Sequence, residues 1–206
     1  MFYRSNLLKR AILGLVAMVT MLPLRALAQE PRSEVSAEGL GFFTKQTTGN
    51  GIKNGATDSG GLQIGYRYNF NHWLAAEADY AYSRNTQTYS GSESARVQSD
   101  VHAITGVGVV KLPHYRHFEP FALAGGGALI FDPTNNTNGS YAGASRQTKG
   151  TFVYGAGVDY PLTAHWAVRA EYRGYVYKTP DFNTVNLKTD TWTHAAQPSA
   201  GVVFRF

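Results

Sequence analysis

Two groups of ionic residues stand out for their spacing. Arg67 is followed by Glu77 and Asp79, and Arg169, Glu171 and Arg173 alternate with Ala170 and Tyr172. Residues two apart share one face of a strand, so guanidinium and carboxylate groups would stand side by side. Facing one another across a narrow interior, charges of both signs can pair and tolerate desolvation. Such a network serves either as a static plug or as a gate whose pairs switch to open a narrow conductance. His114 and His117 form an H-x-x-H pair, but no third ligand accompanies them, and they read as solvated turn residues. His194 has Thr191 and Thr193 close by, yet acid–base work needs a nucleophile within reach, and it reads as an interfacial histidine at a strand mouth. His72 and His165 each precede a Trp and read as headgroup-level anchors. Gly125-Gly126-Gly127 lacks the Lys-Ser/Thr of a phosphate loop. No catalytic residue, metal ligand or cofactor is assigned.

What must position the ionic groups follows from composition and pattern. The chain has 206 residues, enough for one domain, with 13 Tyr, 11 Phe, 22 Gly and no Cys, which excludes disulfides and thiol chemistry. Only 16% of residues are charged, against about 25% in a typical soluble domain. The net charge of +5 is concentrated in residues 1–28, where Arg4, Lys9, Arg10 and Arg25 meet no acid. The near-neutral remainder, without a Lys/Arg run, argues against nucleic acid as a partner. A basic head, the apolar run Ala11 to Leu24 and the small-x-small site Ala26-Leu27-Ala28 predict a signal peptide over 1–28, cleaved before a domain spanning 29–206.

After Gln29 the pattern has period two, the signature of strands. Eight runs can be marked, at about 33–45, 59–69, 72–83, 97–111, 118–131, 150–160, 165–178 and 191–206. Each exceeds the usual soluble strand of about 5–6 residues and reaches the roughly 9–11 that a tilted strand needs to cross a bilayer. Leu62, Ile64, Tyr66 and Tyr68 oppose Gln63 and Arg67; Leu74, Ala76, Ala78, Tyr80 and Tyr82 oppose Glu77 and Asp79. Phe152, Tyr154, Ala156, Val158 and Tyr160 oppose Thr151 and Asp159; Trp166, Val168, Ala170, Tyr172 and Val176 oppose Arg169, Glu171 and Arg173. Aromatics gather near run ends and small residues fill the middles, as a lipid-facing strand requires.

Long connections (46–58, 84–96, 132–149, 179–190) alternate with short ones (70–71, 112–117, 161–164), the asymmetry of outer-membrane barrels. The predicted fold is therefore all-β: an eight-stranded antiparallel up-and-down transmembrane β-barrel, closed so that hydrocarbon meets no unpaired edge. Its lumen would hold Arg67, Glu77, Asp79, Arg169, Glu171 and Arg173. An eight-stranded interior is nearly filled by side chains, which favours the plug over the gate. Pro198 falls inside the last run and predicts a bulge or strand break. The fourth and fifth runs are apolar on both faces; Val101, Ala103, Val107, Val109, Phe121, Leu123 and Leu129 are assigned to lipid.

The ending Ala200-Gly201-Val202-Val203-Phe204-Arg205-Phe206 resembles the C-terminal strand of bacterial outer-membrane barrels. Trp73 to Tyr80, Tyr154 to Tyr160 and Trp166 to Arg173 resemble the small outer-membrane β-barrel domain family, the OmpA-like and OmpX-like kind. The resemblance covers the predicted mature chain. It implies that Val202, Phe204 and Phe206 form a signal read by the barrel-assembly machinery, and that the protein is a monomer among outer-membrane lipid and lipopolysaccharide. OmpA-like proteins often carry a peptidoglycan-binding domain after the barrel; this chain ends at Phe206, so a wall-tethering role is not expected. Barrels of this kind that deacylate lipid A resemble one another in a His-x-Ser pair, which neither His102-Ala103-Ile104 nor His194-Ala195-Ala196 provides. The expected role is structural or surface-interactive (membrane integrity, adhesion) without enzymatic activity. The alternatives are an enzyme acting on outer-leaflet lipid and a very small pore. The loops, exemplified by Asn135-Asn136-Thr137-Asn138-Gly139-Ser140, suit hydration and surface variability.

Overall fold

The computed structural model describes residues 32–90, 94–134, 145–182 and 189–206. The predicted leader and the Asn135–Ser140 stretch lie outside these residues. The described strands are β1 (Ser33–Thr44), β2 (Thr47–Gly49), β3 (Ile52–Ala56), β4 (Ser59–Asn69), β5 (Leu74–Ser90), β6 (Ser94–Lys111), β7 (Glu119–Pro133), β8 (Gln147–Pro161), β9 (Trp166–Lys178) and β10 (Trp192–Arg205). Eight of them pair in the antiparallel order β1-β4-β5-β6-β7-β8-β9-β10, and β10 returns to β1. The sheet is a closed eight-stranded barrel, as the alternation predicts. Closure leaves the spanning backbone without an edge.

The remaining two strands form a hairpin in the connection after β1. Asn50 and Gly51 turn it with φ of 52° and 75°, the paired left-handed geometry that a two-residue hairpin favours. β3 then lies on β5, pairing Lys53–Ala56 with Gln87–Ser90. β5 and β6 have 17 and 18 residues, well beyond the roughly 9–11 that span a bilayer. The connection expected at 84–96 is therefore largely a continuation of these two strands past the membrane. Their outward positions there, Arg84, Thr86 and Thr88, are polar, so the apolar signal stops while the pairing does not.

The short connections are built from side-chain caps. Asn71 Oδ1 accepts bonds from the Trp73 and Leu74 amides at 2.9 and 2.8 Å, and Thr163 Oγ1 accepts from the Trp166 amide at 3.0 Å.

Two expectations are corrected. Val101, Ala103, Val107, Val109, Phe121, Leu123 and Leu129 all point into the barrel, at no more than 4% exposure, while Ile104 and Val110 face outward. Bulky apolar groups fill the lumen along β6 and β7, and Ala122, Ala124 and Gly126 face lipid. The interior is thus half ionic and half apolar, so polarity alone does not mark the inward face there. Pro198, in turn, causes neither bulge nor break: β10 runs on through it, paired with Tyr172 of β9 in unshifted register. The Lys45 amide bonds to the His194 carbonyl, and Ser33 exchanges both bonds with Phe206, so even-numbered residues of β10 turn their backbone toward β1. Pro198 therefore withholds one donor from the β1–β10 seam, where the pairing lapses between Leu40↔Ser199 and Phe43↔Ala196 and resumes in the same register.

Candidate functional site

The six ionic residues singled out by spacing all lie in the lumen, buried to 6% exposure or less. β5 and β9 stand four strands apart either way around the ring, on opposite walls. Arg173 of β9 crosses the interior to Asp79 of β5 at 2.7 Å, and also pairs with Glu77 and with its neighbour Glu171. Arg169 reaches Glu77 at 3.3 Å, Glu34 of β1 at 3.1 Å and Asp159 of β8 at 2.7 Å. Arg67 of β4 donates to Glu77 and lies 3.7 and 3.8 Å from Asp159 and Glu34. One guanidinium-rich layer thereby ties β1, β4, β5, β8 and β9 together across the diameter. Ion pairs of this burial hold only when each charge keeps its partners, because a lone charge in this setting is strongly disfavoured.

Several members were not singled out beforehand. Glu34 also accepts from Lys111 and Asn69, each at 2.9 Å. Arg205 binds Glu119 at 2.7 Å and Asp159 at 3.2 Å, closing the network toward the short-turn end. Glu34, Ser36 and Glu38 alternate with Val35, Ala37 and Gly39 in β1, so the period-two signal for the two acids was present. Phe121 carried no such signal. Its ring lies 4.2 Å from the Arg67 guanidinium carbon and 5.1 Å from that of Arg169, a cation–π contact with both. Two glycines make the layer fit: a Cβ at Gly157 would meet the Phe121 ring at 2.4 Å, and one at Gly65 would meet Asp79 Oδ1 at 2.5 Å.

Above this layer Gln197 donates to Gln63 and Ser199 to Glu38, each at 2.6 Å. Beyond them the long-loop end is filled by rings. Phe131 packs on Tyr177 and Phe182, and Tyr89 on Phe182, with centroids 6.0–6.4 Å apart. Tyr89 donates to the Pro180 carbonyl at 2.6 Å, and burial pushes its phenol well above the ordinary value.

The histidines make separate contacts. His102 Nδ1 lies 2.7 Å from Tyr80 Oη, and His194 Nε2 lies 2.9 Å from Tyr154 Oη, both on the outward face. His114 is 3.4 Å from Glu119, His117 packs on Tyr160, and His165 Nδ1 meets the Arg205 carbonyl at 3.1 Å. Among the described residues no three His, Asp or Glu side chains converge as metal ligands. Val202 and Phe204 face outward on β10, and Phe204 packs against Trp166 and Phe206.

Comparison with known proteins agrees with this geometry. OprG from Pseudomonas aeruginosa has a TM-score of 0.62 at 13% identity, over 86% of this chain and 97% of that one. Neisserial surface protein A (NspA) gives 0.60 at 18% identity, over 84% and 97%. Ail, the attachment invasion locus protein of Yersinia pestis, gives 0.51 at 18% identity, over 86% and 100%. At these identities the likeness is one of fold. No curated protein matches the chain in sequence. Residues 14–206 match the family model of the outer membrane protein beta-barrel domain. The chain is a member of that family, a β-barrel protein of the bacterial outer membrane.

Proposed function

We propose that this barrel is a closed, non-conducting membrane element with a structural or surface-interaction role, and that it is not an enzyme. The observation that carries the reading is the ionic layer spanning opposite walls. Arg67, Arg169 and Arg173 are each at most 1% exposed and each engage at least two carboxylates, while Phe121 and its apolar neighbours occupy the rest of the section. A permeant ion would have to separate buried pairs, and each separation leaves an uncompensated buried charge. The aromatic layer under Phe182 closes the long-loop end as well. Contact with other cells or molecules falls to the β5–β6 extension and the β2–β3 hairpin, which stand beyond the membrane. Lipopolysaccharide and outer-membrane lipid surround the monomer, and the barrel-assembly machinery inserts it through the Val202, Phe204 and Phe206 strand.

Planar-bilayer recording tests the closed lumen. The expected result is no steady conductance at neutral pH. A steady conductance abolished by charge reversal at Arg169 would overturn the reading. Lipid A from overexpressing cells is expected to keep its mass; the discrete gain or loss of an acyl chain would assign an enzyme instead.

A further inference from the structure

The short-turn rim carries an unusual set of exposed groups: Arg32, His72, His114, Arg116, His117 and His165. Four of the six histidines of the chain are therefore at one end. Their surroundings contain little opposing charge. Glu34 and Asp159 are turned into the lumen. Glu119 is engaged by Arg205 at 2.7 Å and His114 at 3.4 Å. Among the described residues no other Asp or Glu side chain lies on this rim, and none is in ion-pair contact with Arg116, whose guanidinium lies 5.7 Å from the centroid of the Tyr115 ring.

The turn between β6 and β7 fixes where these groups stand. The Tyr115 and Phe118 amides and carbonyls exchange bonds of 3.0 Å, closing a tight hairpin with Arg116 at φ 59°. Phe118 and His117 fold against Tyr160, at 5.4 and 6.4 Å between centroids, and Tyr160 faces outward. The hairpin thus lies along the outside of the rim, level with the exposed Trp73 and Trp166, rather than below the lumen mouth. Rings of this kind settle at headgroup depth. At that depth, cations and N–H donors without acids face phosphate. On the opposite rim two of the exposed cations are paired, Arg84 with Asp100 at 2.5 and 3.2 Å and Lys178 with Asp190 at 3.1 Å.

We propose that the short-turn rim selects anionic glycerophospholipid headgroups, of the phosphatidylglycerol kind, in the leaflet facing the periplasm. Arg32 and Arg116 supply charge, and His72 and His117 supply N–H donors to the phosphodiester. The inference rests on the orientation that places short turns in the periplasm. It is independent of whether the lumen conducts.

Electron spin resonance of spin-labelled lipids around the barrel in phosphatidylcholine vesicles tests it. Labelled phosphatidylglycerol is expected to associate roughly fivefold more strongly than labelled phosphatidylcholine, the scale of one basic group held at an anionic surface. Combining Arg32→Gln, His72→Phe, Arg116→Asn and His117→Phe should bring the preference near parity, with heat-modifiable gel mobility showing that the variant folds. Should the combination fail to fold, Arg116→Asn alone, confined to an exposed turn, is expected to lower the preference about twofold. Lys53→Gln with Arg96→Gln, on the opposite side, should leave it unchanged. No preference in the unmodified protein, or a preference lost in the Lys53 and Arg96 variant, would overturn the proposal. So would binding of soluble peptidoglycan fragments that disappears in the rim variant while the lipid preference stays.

Discussion

Arg173, like Arg169, pairs with three buried carboxylates. Among the described residues Arg173 is the sole ion-pair partner of Asp79 and of Glu171, whereas Glu77 also keeps Arg67 and Arg169. Arg173→Met should therefore destabilise the barrel by about 3–5 kcal/mol, the cost of stranding buried charge, as read from urea unfolding in lipid vesicles. An unchanged unfolding midpoint would mean that the layer is hydrated. Ala170, between Arg169 and Glu171, sits on the opposite face, in mid-strand and exposed to acyl chains. Placing a cation there, Ala170→Lys, should cost about 2–4 kcal/mol in the same assay, and Ala170→Leu should cost little. Alternation made the inward place of Arg67, Glu77, Asp79, Arg169, Glu171 and Arg173 legible, because each stands between apolar neighbours. Phe121 was not legible in this way. A ring suits lipid and a guanidinium face equally well, and only the three-dimensional neighbourhood, Gly157 opposite and two arginines beside it, distinguishes them.

At the level of strands, the same limit explains β6 and β7. Where both faces are apolar, period two fixes that a strand exists and leaves its parity open. Pairing settles it: Glu77 opposes Val107 and Asp79 opposes Thr105, so the inward rows of β5 carry their parity into β6 and onward to β7. The extensions of β5 and β6 went unread for a different reason, since apolar patterning ends where lipid ends. Pro198 offers a test of the seam it interrupts. Because even-numbered residues of β10 face β1, Pro198→Ala supplies an amide to the Gly41 carbonyl. One recovered ladder bond should raise stability by about 0.5–1.5 kcal/mol, visible as a higher urea midpoint. A lower midpoint would mean that the proline ring, seated on the lipid face, contributes more by packing than the missing bond costs.

Across the barrel, eight strands bring β5 and β9 to opposite walls, so pairs distant in sequence by 92–96 residues meet inside. No local pattern announces which acid meets which arginine. Strand count, loop asymmetry and the inward rows of the strands that carry ionic residues were readable, whereas the parity of β6 and β7 and the choice of partners were consequences of pairing and closure. An ionic lumen requires that each row face its assigned side of the wall. The chain has no native cysteine, so single cysteines bearing nitroxides report on one position at a time. Oxygen accessibility in bilayers should be high at positions 104, 122 and 170 and low at 103, 123 and 171. The reverse pattern at 170 and 171 would contradict the ionic lumen itself, and a reversal confined to 103, 104, 122 and 123 would return the large side chains of β6 and β7 to the lipid.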